Sequence, residues 1–287
     1  MKQDLNPFLN KFRILILSIP ILVISSCKDK EILPDKTVNP PASIEIFIHI
    51  DSLQDRLDNF GNPANIPTNH GTLSPKFNSV SIFKIELLDD STENFNSGLI
   101  IYQSSDRVEL HDGDSQLEYF YGNQLPRQFK FIRVYFNDQN YHFDLKYNGN
   151  IIDGTLLSFL WPNNYSSSFH IKDSIVNNDS IVHEGKWFLE LGSTNNPVLN
   201  GEVVPLSNIT QPNVLYQEWP VPSSMYVVTC PINPIFSIDK FEHKSFVLSI
   251  SSNKCFEWVE HSDPAFFEPF DGDTIVDVGI RGLKVIQ

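Results

Sequence analysis

Hard oxygen donors gather near the C-terminus. Asp271, Asp273 and Asp277 surround the tight turn at Gly272, and Asp263 and Glu268 are close enough in the chain to fold back on them. Carboxylates at such spacing are what calcium requires, so these five residues are a candidate calcium site with a structural role. The stretch lacks the D-x-[DN]-x-[DN]-G order of an EF-hand, and a plain solvated hairpin between Phe270 and Ile275 is the competing expectation. Glu257 and Asp263 are the available acid/base pair should the chain be an exported glycan hydrolase. That chemistry needs two carboxylates roughly 5 to 9 Å apart across a cleft. There is no Gly-rich phosphate loop, serine elbow or zinc-hydrolase histidine spacing, and no catalytic residue is assigned.

Softer ligands are sparse. His49, His70, His111, His142, His170, His183, His243 and His261 stand singly, so a copper or zinc site would have to be assembled from distant strands. Cys230 and Cys255 both lie in strand-like surroundings. They read either as a cross-strand disulfide, closing a loop of about 25 residues and contributing roughly 3 kcal/mol, or as two buried free thiols. Trp161 and Tyr165 in one loop-like stretch, and Tyr216 and Trp219 in another, could stack on sugar faces or anchor a protein partner. Capping the ends of the core is the alternative for all four.

What must position these residues begins with the N-terminus. Lys2, Lys11 and Arg13 precede an apolar run, Ile14 to Ile24, that stops at Ser25-Ser26-Cys27. The run is 11 residues long, against the roughly 20 needed to cross a bilayer as a helix, so it reads as the core of an export signal. Ile24-Ser25-Ser26-Cys27 resembles the bacterial lipoprotein signal. That resemblance implies removal of residues 1–26, lipid (palmitate and related acyl chains) on the Cys27 thiol, and acylation of its new amine. Two or more chains hold a protein stably where one is marginal. Residues 27–42, with Pro34, Pro40 and Pro41 and no apolar periodicity, form a lipidated tether. Lys28-Asp29-Lys30-Glu31 resembles in part the surface-delivery signal of Bacteroidetes lipoproteins, which points to the outer membrane or cell surface.

Removing the leader would leave 18 basic and 34 acidic residues. Such a balance argues against a phosphate-neutralising, nucleic-acid-binding surface. From Ser43 onward the pattern is of strands. Ile44 to Ile50 is a β-branched run, and Ser79 to Leu87 alternates at period two. Phe129 to Phe136, Tyr141 to Tyr147, Ile181 to Leu191, Met225 to Val228 and Ser245 to Ile250 behave alike. Asn148-Gly149-Asn150 marks the clearest hairpin, and Asp112-Gly113 and Asn200-Gly201 read as further turns. Ser52 to Phe60 fits a short amphipathic helix through Leu53, Leu57 and Phe60, while Gly192 to Pro222 reads as a long loop. The expectation is an all-β protein, an antiparallel β-sandwich over residues 43–287, with a subdivision near 165–200 as an option.

The tail from Phe256-Glu257-Trp258 to Arg281-Gly282-Leu283 resembles the C-terminal end of uncharacterised Bacteroidetes lipoproteins. A more distant resemblance is to the methanobactin-associated copper lipoproteins, which implies copper binding on a lipid-anchored β-sandwich. Together these readings favour a noncatalytic envelope lipoprotein that binds a protein, a glycan or an ion. A glycan hydrolase, or a copper- or calcium-binding lipoprotein, is the alternative.

Overall fold

A computed structural model describes residues 41–58, 62–90, 97–104, 108–113, 117–122, 127–160, 169–176, 185–192, 198–203, 217–221, 225–262 and 265–287. Residues 1–40, with the expected signal, Cys27 and most of the tether, lie outside them. The same holds for Trp161, Tyr165, Tyr216, Asp263 and His183. Pro40–Gln287 forms a compact unit.

The described residues form eighteen strands: β1 (Ala42–Asp51), β2 (His70–Leu73), β3 (Lys76–Leu88), β4 (Leu99–Gln103), β5 (Glu109–Leu110), β6 (Leu117–Gly122), β7 (Arg127–Tyr147), β8 (Asn150–Phe159), β9 (Phe169–His170), β10 (Ile175–Val176), β11 (Lys186–Leu191), β12 (Val198–Glu202), β13 (Gln217–Val221), β14 (Met225–Ile238), β15 (His243–Ser251), β16 (Phe256–Val259), β17 (Thr274–Asp277) and β18 (Leu283–Ile286). The fold is all-β with several sheets. β7 is its axis. Along one side it pairs with β3, and along the other first with β14, through Arg127 to Phe136, and then with β8, through Asp138 to Tyr147. β8 passes the sheet on to β11 and β12, β14 to β13, and β3 to β4 and β5, giving nine strands. Strands from either side of residues 165–200 therefore share one sheet.

Alternation sorts β1 into two faces: Ile44, Ile46 and Ile48 are buried while His49 is exposed. β1 runs parallel to β15 and antiparallel to β6, and β18 closes this four-stranded sheet. Its inward residues share one core cluster with Val80, Ile82, Ile85 and Leu87 of β3, Phe129, Ile132, Val134 and Phe136 of β7, and Val228, Cys230 and Phe236 of β14. A second cluster sits on the later half of β7. There Tyr141, Phe143 and Leu145 meet Phe256 and Trp258 of β16, Ile275 of β17, and Phe267. Phe267 packs edge-on against both Phe256 and Trp258. Close approach is bought by glycine at two places: Gly71 lies opposite Trp258 and Gly201 opposite Trp187 in the strand ladders. A Cβ on either glycine would fall within 2.4 Å of the facing indole.

The hairpin at Asn148-Gly149 is as expected, with Asn148 at φ 50° and Gly149 at φ 74° joining β7 to β8. Several expectations change. The two runs at 129–136 and 141–147 are one 21-residue strand. The polar stretch between them, Asn137 to Asn140, is buried within the sheet. Gly201 belongs to β12, not to a turn, and β12 and β13 both lie within the stretch read as a loop. No helix forms over Ser52 to Asp58. Asp51 Oδ1 accepts the Leu53 N–H at 2.8 Å, Gln54 turns inward to Ser249 and Ser251, and Arg56 is drawn to Glu257. One or two helical turns are too short to resist such contacts. Leu53 is left 89% exposed. Cys230 and Cys255 are both buried free thiols and no disulfide joins them. Cys230 sits in the first core, in β14, while Cys255 directly precedes β16 of the three-stranded sheet β17-β16-β2. Burial pushes both thiols up from the ordinary range.

Candidate functional site

In β7, alternation sends Tyr141 and Phe143 into the second core and Asn140 and His142 to the opposite face. The ladder continues that face through Thr155, opposite His142, and Glu190, opposite Thr155. β9, β10 and the turn between them cover part of it. Ile171 packs with Leu157, Phe159 and Phe188. The buried Glu190 accepts the N–H groups of Asp173 at 3.2 Å and Ser174 at 2.9 Å through Oε2. Asn140 Nδ2 donates to the Ile171 carbonyl at 2.8 Å, and Lys172 Nζ donates to Asp153 Oδ2 at 2.8 Å. Thus held off the sheet, the turn leaves two adjoining hollows of about 490 and 330 Å³ that share Asn78 and Lys172.

Asn78 is the hub. It is the extra residue of a bulge, with Phe77 opposite Tyr141 and Ser79 opposite Asn140, and bulges re-aim side chains. Its Nδ2 donates to Asn140 Oδ1 at 2.8 Å, its Oδ1 accepts from His142 Nδ1 at 2.8 Å, and its carbonyl accepts from His111 Nδ1. With Nδ1 donating in both rings, a neutral His142 or His111 presents Nε2 as an acceptor. Glu109, His170 and Asp153 complete the rim. The groove therefore offers fixed donors and acceptors together. Among the described residues, neither hydroxyl of its lining, Ser79 or Thr155, is hydrogen-bonded to a base. Fixed donors and acceptors of this kind can pair with the polar groups of a ligand.

A second polar cluster lies beside the second core. Arg56 pairs with Glu257 and, at 3.0 Å, with Asp277; Arg281 Nε meets Asp277 Oδ2 at 2.5 Å; His70 Nδ1 meets Glu257 Oε1. Arg56 also donates to the Lys254 carbonyl at 2.9 Å. Burial pushes the Glu257 carboxyl up, but His70 and Arg56 together hold it below the ordinary value. Glu257, named as an acid/base candidate, is thus a buried partner in an ion-pair network, and Asp263 lies outside the described residues.

Of the five expected calcium ligands, Asp263 lies outside the described residues and the other four are placed as follows. Asp277 belongs to that network. Asp273 accepts the N–H groups of His261 at 2.9 Å and Glu268 at 2.7 Å and so caps a turn, with burial pushing its carboxyl up. Glu268 pairs with Lys146 at 2.8 Å; Lys146 and Ser262 pull its carboxyl below the ordinary value. Asp271 is exposed. Among the described residues no group of three or more His, Cys, Asp or Glu is placed to hold a metal ion. Of the histidines, His111, His142 and His170 line the groove, while His49 pairs with Asp112 and His243 with Ser43. Of the four aromatics, Trp219 alone is among the described residues, its backbone paired with Val227 in the β13-β14 ladder.

The sequence does carry a trace of the groove, in the polar residues Asn140, His142 and Asp144 at every second position of a strand. Asn78 gives no such sign, because its role depends on a bulge fixed by pairing across 62 residues. Comparison of the chain with protein-family models, with curated proteins and with solved structures finds no match.

Proposed function

We propose that this chain is an exported, lipid-anchored and noncatalytic binding protein of the outer membrane or cell surface. Its folded unit is a β-sandwich, a reading supported by the core cluster that the four-stranded and nine-stranded sheets share. The anchor rests on Ile24-Ser25-Ser26-Cys27 behind its short apolar run. The groove centred on Asn78 takes a hydroxyl-rich ligand, such as an oligosaccharide. One observation carries this: Asn78 fixes His142, Asn140 and His111 at once, so donors and acceptors around the hollows are preorganised without a ligand.

An oligosaccharide array probed with the wild-type chain and with Asn78→Ala tests it. Losing about 1.4 kcal/mol of binding is a tenfold weakening, and removing the Asn78 amide, which orders the Asn140 and His142 side chains while the backbone carbonyl keeps His111, should cost at least about that. Binding to one glycan class, weakened about tenfold or more by Asn78→Ala in a chain whose circular dichroism shows it still folded at the assay temperature, is the expected result. No bound glycan, or binding indifferent to both Asn78→Ala and His142→Ala, would overturn the assignment.

A further inference from the structure

The first strand of the folded unit begins beside a turn whose residues have no evident reason to be apolar. The Ser43 N–H donates to the Glu242 carbonyl at 3.0 Å. In the ladders, Ser43 faces Phe120 of β6 on one side and His243 of β15 on the other. Phe120 is 61% exposed, and Phe241, at the tip of the turn between β14 and β15, is 47% exposed. Phe241 also holds φ at 62°, a left-handed backbone disfavoured for a bulky side chain. A glycine would relieve the strain and a polar residue the exposure. The turn is nonetheless firmly built: the Glu242 N–H donates to the Asp239 carbonyl at 3.3 Å, the Glu242 carboxylate accepts the Asp239 N–H at 3.0 Å, and Lys244 pairs with Glu242 at 3.3 Å.

These rings flank the point at which the chain leads back to Cys27. Fourteen residues separate Cys27 from Ala42. Such a segment reaches at most about 50 Å when fully extended. Whatever surface carries the Cys27 lipid is therefore always within reach of this turn, and a contact too weak to form in free solution becomes intramolecular. Asp239, Lys240, Glu242 and Lys244 carry two charges of each sign, so apolar burial and not charge would draw the turn to the surface.

We propose that the turn bearing Phe241, with Phe120 beside it across Ser43, is a membrane-contact surface that seats the folded unit on the lipid bilayer holding Cys27. The proposal rests on the lipid anchor proposed above. A lipid chain is one membrane signal and an inserted pair of rings is a second, which fixes the end of the fold facing the bilayer.

The test uses the full lipidated chain in phosphatidylethanolamine and phosphatidylglycerol vesicles containing a nitroxide lipid. An environment-sensitive fluorophore is attached at Lys240→Cys or, as a control, at Ile151→Cys on the β7-β8 hairpin. Cys230 and Cys255 are buried, which confines labelling to the new thiol. Flotation with the vesicles is read on each sample first. The expected result is flotation of both, with blue-shifted emission and lipid quenching at position 240 and neither at 151. Phe120→Asp together with Phe241→Asp should return position 240 to an aqueous spectrum without loss of flotation, and added salt should leave the signal unchanged. Flotation with an aqueous label at 240 would overturn the contact and spare the anchor, whereas failure to float would overturn the anchor and the contact with it. Shielding of position 240 only after envelope proteins are added would assign the rings to a protein partner and likewise overturn the proposal.

Discussion

Replacing Glu257 with Gln isolates the contribution of the buried ion-pair network. The change keeps shape and removes one charge facing Arg56 and His70, both mostly buried. Removing one partner of a buried pair costs roughly 3 to 5 kcal/mol. Arg56 keeps Asp277 and the Lys254 carbonyl, so the lower end, about 3 kcal/mol, applies. For a unit of this length each kcal/mol moves the melting temperature by about 2 to 4 °C, which gives a drop of about 6 to 12 °C at neutral pH. The pH dependence sharpens the test. His70 and Arg56 outweigh burial and hold the folded carboxyl below its ordinary value of 4.5. Its stabilisation is therefore complete above that value and is lost as pH falls through the lower folded value. Melting followed by circular dichroism should show wild type and Glu257→Gln converging in acid. A difference under about 2 °C at pH 7, too small for a broken buried pair, would refute the reasoning. So would a gap that persists undiminished through acid unfolding.

Two further outcomes are expected. Gly71→Ala places a Cβ 2.2 Å from the Trp258 indole; overpacking of this kind costs about 1 to 3 kcal/mol, to be seen as lower urea resistance and shifted tryptophan fluorescence. An unchanged midpoint would mean that the indole has room to move. Cys230 and Cys255 should be inert to a thiol reagent in the native state and both titrate in denaturant without reductant; absence of reactive thiols in denaturant would restore the disulfide.

The strand pattern was legible where one face meets a core and the other faces outward, as in β1 and in the Asn148-Gly149 hairpin, because burial there follows local alternation. β7 was harder. Asn137-Asp138-Gln139-Asn140 resembles punctuation when read locally, yet in the sheet these residues are flanked by strands on both sides, and the ladder satisfies their backbone. Ser52 to Asp58 has a helical stripe, but its polar groups are claimed by residues roughly 200 positions away, Ser249, Lys254 and Glu257, which no local window contains. In the acidic tail, the partners of Asp277 and Glu268 were only partly legible, because Arg56 and Lys146 come from distant segments while Arg281 lies four residues from Asp277. The groove escaped for the same reason, since its hub and its walls come from five separate stretches of chain.

The central claim, a lipid-anchored exported protein, is tested most directly by the intact mass of the N-terminal peptide from chain purified out of membranes. The account predicts a peptide beginning at Cys27, with diacylglycerol on its sulfur and an acyl group on its amine. A peptide beginning at Met1, or one containing an unmodified Cys27, would contradict it.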